Sequence, residues 1–269
     1  MARSAVLAEK SRRPSGRKAR VRPVPAVSRA IAIMRLLGKN SEPMGVNAIA
    51  QSLGLVPSTC LHILRVLVQE HLLRTDATKR YSLGVGLVGL ARTAIDRNTF
   101  AAVAQLPLSR LAAHWEVTAI GVEVVALDYL LVVALARAQG PFSLHVDVGS
   151  RFPALISATG RLVAAYTDRP WSEIEQGFKK VRWQNAPEFK KWRAEVEAVR
   201  RKGFSVDRGN YINGVTIIAV PLLDRSNRLN YAMVAAGMTS QLDGARCTAL
   251  ATQMQTEART LSNSILSTR

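Results

Sequence analysis

The chain has 269 residues, which is long enough for two domains of roughly 100–200 residues each. Hydrophobic residues make up 48% and charged residues 21%, which permits a packed core and excludes global disorder, while a net charge of +18 favours polyanionic partners. No apolar run approaches the roughly 20 residues that span a bilayer, and no secretory signal is recognised. The two widely separated cysteines indicate a reducing cytoplasm, with neither a disulfide framework nor a metal site.

The positive charge is concentrated at the start of the chain. The first 100 residues carry 17 Lys and Arg against 5 Asp and Glu, whereas the remaining residues carry 20 against 14. Residues 1–24 hold eight basic residues and one acidic residue among Pro, Ser and Gly, a composition that predicts a disordered arm. Two hypotheses stay open for this arm: it lies along DNA phosphates, or it is a solvated tail.

Residues 25–84 are predicted to form a winged helix-turn-helix. Apolar residues recur at helical spacing in two segments before Gly54, and a third helical segment follows a Leu-Val turn. The predicted elements are helices over 27–37, 46–53 and 58–71 and two short strands, Leu72–Arg74 and Arg80–Leu83. Three helices followed by a hairpin are the pattern of a DNA-binding domain of this kind.

The third predicted helix separates into an apolar face, spaced for burial against the first two helices, and a polar face. In a helix-turn-helix the polar face enters the major groove, where Arg can pair with guanine and hydroxyls can contact phosphates or base edges. A basic hairpin tip can meet the DNA backbone or the minor groove, and the alternative for every position is a solvated surface. The candidate DNA contacts are Ser58, Thr59, His62, Arg65 and Gln69 on the helix and Arg74, Lys79 and Arg80 on the hairpin.

A linking helix over Val85–Ala102 is predicted to lead into a second domain, residues 103–269. Its predicted strands are Thr118–Ala126, Leu130–Ala136, Phe142–Val148, Gly203–Asp207, Val215–Leu222 and Tyr231–Ala236. Its predicted helices are Pro153–Tyr166, Trp171–Lys179, Pro187–Lys202 and Asp243–Leu266. Consecutive strands with helices on one side favour an antiparallel-centred α/β sheet, so the fold class is α+β.

Several stretches together match the pattern of one known family. In the first half they are Val27–Ala30, Ile49-Ala50, Gly54–Thr59, Leu64, Leu67 and Arg80–Gly84. In the second half they are Gly149–Pro153, Ala158–Arg161, Gly203–Asp207 and Gly214–Pro221. Over about residues 25–265 the chain resembles IclR-family transcriptional regulators. The resemblance implies a GAF-like effector-binding domain, a homodimer or dimer of dimers, and palindromic double-stranded operator DNA. No cofactor is predicted.

The resemblance also implies a carboxylate effector held by backbone N–H groups at a helix start, here Ala158, Thr159, Gly160 and Arg161. Members that sense small oxo-acids place a Cys, two Ser and an Asp on the opposite wall. This chain keeps Asp207, which is expected to face a hydroxyl at the far end of the ligand. At the other three positions it has Ile217, Val234 and Ala236, which favours an aromatic or longer acyl carboxylate. The alternative is a filled pocket in which these residues are plain core.

The sequence disfavours two other function classes. An enzyme is disfavoured because the four His residues accompany no nucleophile elbow, P-loop or metal-spaced cluster. A protein that binds nucleic acid by charge alone is disfavoured by the patterned third helix and the large second domain. We therefore expect a cytoplasmic regulator of a catabolic operon that is not an enzyme and has no membrane partner. Its linking helix is expected to supply apolar surface for dimerisation through Val85, Leu87, Val88 and Leu90.

Overall fold

The computed structural model describes residues 24–96, 99–125, 127–138 and 144–267. The predicted basic arm, except for Val24, lies outside these residues. The chain divides into two compact units, Met1–Ala91 and Arg92–Arg269. The sequence predicts the domain boundary within a linking helix. The boundary between the two units falls inside a helix of that segment, Gly86–Asp96.

The first unit has the predicted three helices and hairpin. Its elements are α1 (Pro25–Lys39), β1 (Met44–Gly45), α2 (Val46–Leu53), α3 (Pro57–Gln69), β2 (Leu73–Thr75) and β3 (Arg80–Leu83). The three strands form an antiparallel sheet in the order β1-β3-β2. Strand β1 was not predicted, because two residues are too short to show the alternation that marks a strand.

Local sequence explains the turn between α2 and α3. Gly54 ends α2 in the left-handed conformation, with φ of 62°, and the Leu55 N–H donates to the carbonyl of Ala50. Pro57 opens α3 at a position where its fixed φ suits the first helical turn and its missing N–H costs nothing. The buried faces of the three helices then meet in one apolar core that includes Ile33 and Leu64.

The predicted end of the linking helix at Ala102 is wrong. Helical structure is described over α4 (Gly86–Asp96) and α5 (Thr99–Trp115), with residues 97–98 outside the described part of the chain. The apolar residues of α5 are buried in the second unit, with Phe100, Leu108 and Leu111 packed in its core. Helix α5 therefore belongs to the second unit.

The second unit is built on one six-stranded sheet in which all neighbouring strands are antiparallel. Its strands are β4 (Thr118–Val125), β5 (Tyr129–Ala136), β6 (Arg151–Pro153), β7 (Ser205–Arg208), β8 (Val215–Leu223) and β9 (Leu229–Met238), in the order β6-β5-β4-β9-β8-β7. Its remaining helices are α6 (Ser157–Ala165), α7 (Trp171–Lys179), α8 (Phe189–Lys202) and α9 (Gly244–Ser267).

Helices cover both faces of this sheet, which corrects the expectation of helices on one side. Along β8, Ile217 and Ala219 point into the core shared with α6 and α8, whereas Ile218 and Val220 point into the core shared with α5 and α9. Side chains alternate along a strand, so a strand covered on both faces is apolar at successive positions. The unbroken apolar run of β8 and β9 was the sequence signal for two covered faces.

The predicted strand Phe142–Val148 is also wrong. Residues 144–147 have no strand pairing, and residues 142–143 lie outside the described part. The edge of β5 is occupied instead by the segment that begins at Gly149, whose N–H donates to the carbonyl of Val132. Pro153 is consequently extended, in β6, and α6 begins at Ser157 rather than at Pro153.

No single helix in the described part is both long enough and apolar enough to cross a membrane. Helices α2 and α3 meet that test only as a pair, and they are bent by 114° relative to each other.

Candidate functional site

Helix α3 presents the predicted polar face to solvent. Ser58, His62, Arg65 and Gln69 are exposed, and Thr59 is half-buried. The opposite face of the helix, including Cys60, Leu64 and Leu67, is buried against the other helices of the unit. This arrangement leaves hydroxyl, imidazole, guanidinium and amide groups along one accessible helix face, the set of groups that can contact phosphates and base edges.

The hairpin of β2 and β3 carries the second set of predicted DNA contacts. Its tip is fixed by Asp76, which accepts hydrogen bonds from the N–H groups of Thr78 and Arg80 and from the Thr78 hydroxyl. These bonds lower the pKa of the Asp76 carboxyl, the Arg80 N–H most strongly. Lys79 sits at the tip in the left-handed conformation, with φ of 57°. Both basic side chains of the tip are exposed, whereas Arg74 donates from Nε to the Ser82 hydroxyl across the strands.

A cavity of about 290 Å³ lies between the sheet and the start of α6. Most of the residues that line it are aliphatic or aromatic, and its polar lining is confined to four side chains. The lining residues are Ile120, Val122, Leu130, Val132, Leu144, His145, Val146, Phe152, Ile156, Ser157, Thr159, Tyr211, Ile212, Ile217, Val234 and Ala236. None of these is Lys, Arg, Asp or Glu, so the cavity is an apolar space with hydroxyl groups and one imidazole at its boundary.

The first turn of α6, from which Ser157 and Thr159 line this cavity, has unpaired hydrogen-bond donors. Within the described part of the chain, the backbone N–H groups of Ser157, Ala158 and Thr159 have no acceptor, as expected for the first turn of a helix. A Cβ on Gly160 would lie 2.1 Å from the carbonyl carbon of Leu155, so only glycine lets the chain pack this tightly before the helix. Unpaired N–H groups and the helix dipole together favour an anion at this point.

The structure separates the predicted effector-site residues into two groups. Thr159, Ile217, Val234 and Ala236 line the cavity, and the last three leave its wall apolar. The other predicted residues are buried outside the lining. They are Ala158, Gly160, Arg161 and Asp207.

Arg161 is not available to a ligand, because its guanidinium is buried and fully engaged. Its exposed fraction is 1%, and Nε donates to Oε2 of Glu195 at 2.7 Å. Nη1 donates to the carbonyl of Ser157 at 2.9 Å and to Oδ2 of Asp207 at 3.3 Å. Nη2 donates to Oδ1 of Asn210 at 3.1 Å. The Arg161 side chain therefore ties the start of α6 to β7. The predicted effector contact was with the backbone at the helix start, and it stays a prediction, although Arg161 lies outside the cavity lining.

Asp207 likewise does not face the cavity, which corrects the expectation that it accepts a ligand hydroxyl. It is fully buried, and besides Arg161 it accepts from the N–H groups of Asn210 at 2.9 Å and Tyr211 at 3.3 Å. These bonds fix the start of the loop that carries Tyr211 and Ile212 onto the cavity wall. Asp207 thus acts on the cavity indirectly, by positioning the loop.

Sequence reasoning missed several residues of the cavity. Ser157 directly precedes the Ala158–Arg161 stretch of the family resemblance, and its hydroxyl was the available signal. Tyr211 and Ile212 lie in a loop between Gly203–Asp207 and Gly214–Pro221, and this loop has no periodicity that would predict a position near α6. The ring of Tyr211 also contacts that of Trp183, with centroids 6.5 Å apart, which links the cavity to a tryptophan.

Both units of the chain match models of known protein families. Residues 26–77 match the IclR helix-turn-helix domain, and residues 92–263 match the model described as "Bacterial transcriptional regulator IclR C-terminal". The chain is 27% identical over 249 residues to the glycerol operon regulatory protein of Streptomyces griseus, covering 91% of this chain and 97% of that protein.

Solved structures show the same fold. An IclR transcriptional regulator from Alicyclobacillus acidocaldarius is 28% identical, with a TM-score of 0.78 over 90% of this chain and 99% of that one. An IclR homologue from Microbacterium hydrocarbonoxydans, solved with 4-hydroxybenzoate, is 18% identical, with a TM-score of 0.75 over 91% and 100% of the two chains.

The matched proteins are transcriptional regulators and not enzymes, and no three His, Cys, Asp or Glu residues cluster as a metal site within the described ranges. A helix-turn-helix with an exposed polar α3 and a separate α/β unit with a cavity are the two parts of a ligand-responsive DNA-binding protein. The chain is a transcriptional regulator of the IclR family, with a DNA-binding helix-turn-helix unit and an IclR effector domain.

Proposed function

We propose that this regulator binds a pseudo-palindromic operator in the cytoplasm and that a small apolar carboxylate, aromatic in character, modulates the binding and so controls a catabolic operon. The polar face of α3 contacts base edges and phosphates, and the tip of the hairpin contacts the DNA backbone. The effector occupies the cavity with its anionic end toward the Ala158–Arg161 helix start, where Thr159 lines the cavity.

The cavity is the observation that carries the choice of ligand. Its volume of about 290 Å³ is at the lower end of the roughly 300–1,000 Å³ typical of small-molecule sites, which suits a ligand of one ring. Ile217, Val234 and Ala236 offer no partner to the polar groups of a small oxo-acid, which would lose hydrogen bonds to water without replacement. The 4-hydroxybenzoate bound by the M. hydrocarbonoxydans homologue supports an aromatic acid as the first class to test.

Calorimetry on the full chain tests the ligand class. We expect benzoate and 4-hydroxybenzoate to bind more tightly than pyruvate and glyoxylate, because only a ring covers the apolar wall. Operator binding measured with and without the bound acid then shows whether the cavity controls DNA affinity. Tighter binding of pyruvate or glyoxylate than of the aromatic acids would refute the apolar-carboxylate proposal.

A homodimer, or a dimer of dimers, is proposed from the surface of the first unit. Val85, Val88 and Leu90 are 81%, 65% and 62% exposed, a concentration of large apolar side chains that favours burial in an interface. One winged domain contacts too few base pairs for operator-grade specificity, and two half-sites about one helical turn apart restore it. Sedimentation should show weak binding to a half-site duplex and tight binding to the full site. A monomer that binds one half-site as tightly as the full operator would contradict the dimer.

A further inference from the structure

The Ser157 hydroxyl at the cavity wall has no hydrogen-bond partner. Two buried side-chain atoms lack a partner among the described residues, Ser157 Oγ and the indole nitrogen of Trp192. Trp192 packs within a cluster of aromatic rings, whereas Ser157, 4% exposed, lines the cavity. A buried hydroxyl without a partner is costly, so its position at the cavity wall points to a partner that comes from outside the chain.

The backbone of Ser157 is strained at the same place. Its φ of 54° lies in the left-handed region, which an L residue other than glycine adopts at a cost. The other described non-glycine residues with positive φ are all exposed: His71, Lys79, Glu116 and Asn227. Among the described non-glycine residues with positive φ, Ser157 is thus the one that is buried. Arg161 holds this strained backbone in place by donating to the Ser157 carbonyl.

We propose that Ser157 is a direct effector contact whose hydroxyl donates a hydrogen bond to the ligand carboxylate, beside Thr159 in the first turn of α6. The inference rests on the proposed function and adds the side chain that selects the anionic group. A hydroxyl beside the unpaired N–H groups of a first helical turn matches the two acceptor oxygens of a carboxylate. A neutral amide has one acceptor oxygen, and its NH₂ group would face donors.

The test compares Ser157→Ala and Ser157→Gly with Ser205→Ala in the full chain. Ser205 is a matched control because it is also buried against α6, but its hydroxyl donates to the carbonyl of Ala158 at 2.7 Å and is absent from the cavity wall. Calorimetry with benzoate, 4-hydroxybenzoate and benzamide gives the affinity, and thermal unfolding without ligand gives the stability.

We expect both Ser157 variants to bind the two acids roughly 10-fold more weakly or worse, the effect of losing a hydrogen bond to a charged group. The affinity for benzamide should fall less, so the ratio of benzoate affinity to benzamide affinity should decrease in both variants. Neither variant should lower the melting temperature without ligand, because alanine removes an unsatisfied hydroxyl and glycine also relieves the left-handed strain. Ser205→Ala should lower the melting temperature and keep the affinity of the wild type.

Two results would overturn the proposal. In the first, Ser157→Ala binds benzoate as tightly as the wild type, which removes the hydroxyl from the contact while the proposed function stands. In the second, both Ser157 variants lower the melting temperature as Ser205→Ala does, which makes the residue a packing element. If the wild type bound neither acid, the proposed ligand class itself would fail and this inference with it.

Discussion

The replacement Asp207→Asn asks whether Asp207 stabilises a buried arginine or contacts the ligand. Arg161 is 1% exposed and Asp207 fully buried, whereas the third member of the cluster, Glu195, has a side chain that is 38% exposed. Without the Asp207 charge, the Arg161 guanidinium keeps only a partly solvated counter-ion. Removing one partner of a buried pair costs about 3–5 kcal/mol of unfolding free energy. Glu195→Gln, discounted for solvent screening, should cost about 1 kcal/mol or less.

Urea unfolding followed by tryptophan fluorescence measures this difference in the unit concerned. All four tryptophans, Trp115, Trp171, Trp183 and Trp192, belong to the second unit, so their emission reports its unfolding. With an m value of about 2 kcal/mol/M, ordinary for urea, the midpoint of Asp207→Asn should fall by about 2 M. The midpoint of Glu195→Gln should fall by about 0.5 M or less. Saturating benzoate should restore part of the loss, because a ligand that binds the folded form stabilises it.

Two outcomes would refute this reasoning. If Asp207→Asn unfolded at the wild-type midpoint and had lost benzoate binding, Asp207 would be a ligand contact, as the family resemblance first suggested. If Glu195→Gln cost as much as Asp207→Asn, burial would not be what separates the two carboxylates.

Four further predictions concern the cavity wall and the DNA-binding surface. Ile217→Ser should weaken benzoate binding by roughly 1–3 kcal/mol, because it places an unpaired hydroxyl against the ring, and calorimetry showing tighter binding would contradict an apolar wall. Arg65→Ala should reduce operator binding by about 1–3 kcal/mol more than binding to random DNA. Lys79→Asn, in which Asn suits the left-handed turn, should weaken binding to operator and to random DNA alike and lower the salt slope by about 1. If Arg65→Ala also weakened binding to operator and to random DNA equally, the assignment of base and phosphate contacts would be contradicted. The lowered pKa of Asp76 means that its bonds to the hairpin tip contribute above the ordinary carboxyl pKa of 3.8 and are lost as pH falls through the lower value. The NMR shifts of the Thr78 and Arg80 amides, which donate to Asp76, should follow the titration of that carboxyl. Amide shifts that stay constant in acid would contradict this prediction.

The DNA-binding unit could be predicted closely because its signals are local. Gly54 and Pro57 mark the end of one helix and the start of the next, and the spacing of apolar residues assigns the buried side of α3. The polar face of α3 follows from that assignment, so its exposed residues were identified before any fold was known. Trp171–Lys179 was predicted with the bounds that α7 has.

The errors fall where a competing contact decides the outcome. Residues 144–148 alternate like a strand, but the edge of β5 pairs with the segment from Gly149 to Pro153 instead. Alternation states which side chains share a face, and it does not state which segment takes an available edge. The continuation of α5 to Trp115 was missed for a related reason, since the burial of its apolar residues depends on the strands and helix of the second unit that pack against it.

The sequence by itself determined the two-part organisation, the exposed face of the DNA-binding helix and the apolar character of Ile217, Val234 and Ala236. These follow from spacing along the chain and from the chemistry of each side chain. Only the tertiary structure decided that Asp207 pairs with Arg161, which lies 46 residues away in the chain. It also decided that Ser157 and Tyr211 line the cavity. A charged or hydroxyl group has the same sequence signature whether its partner is a ligand or another buried residue, and the folded chain alone fixes which partner it meets.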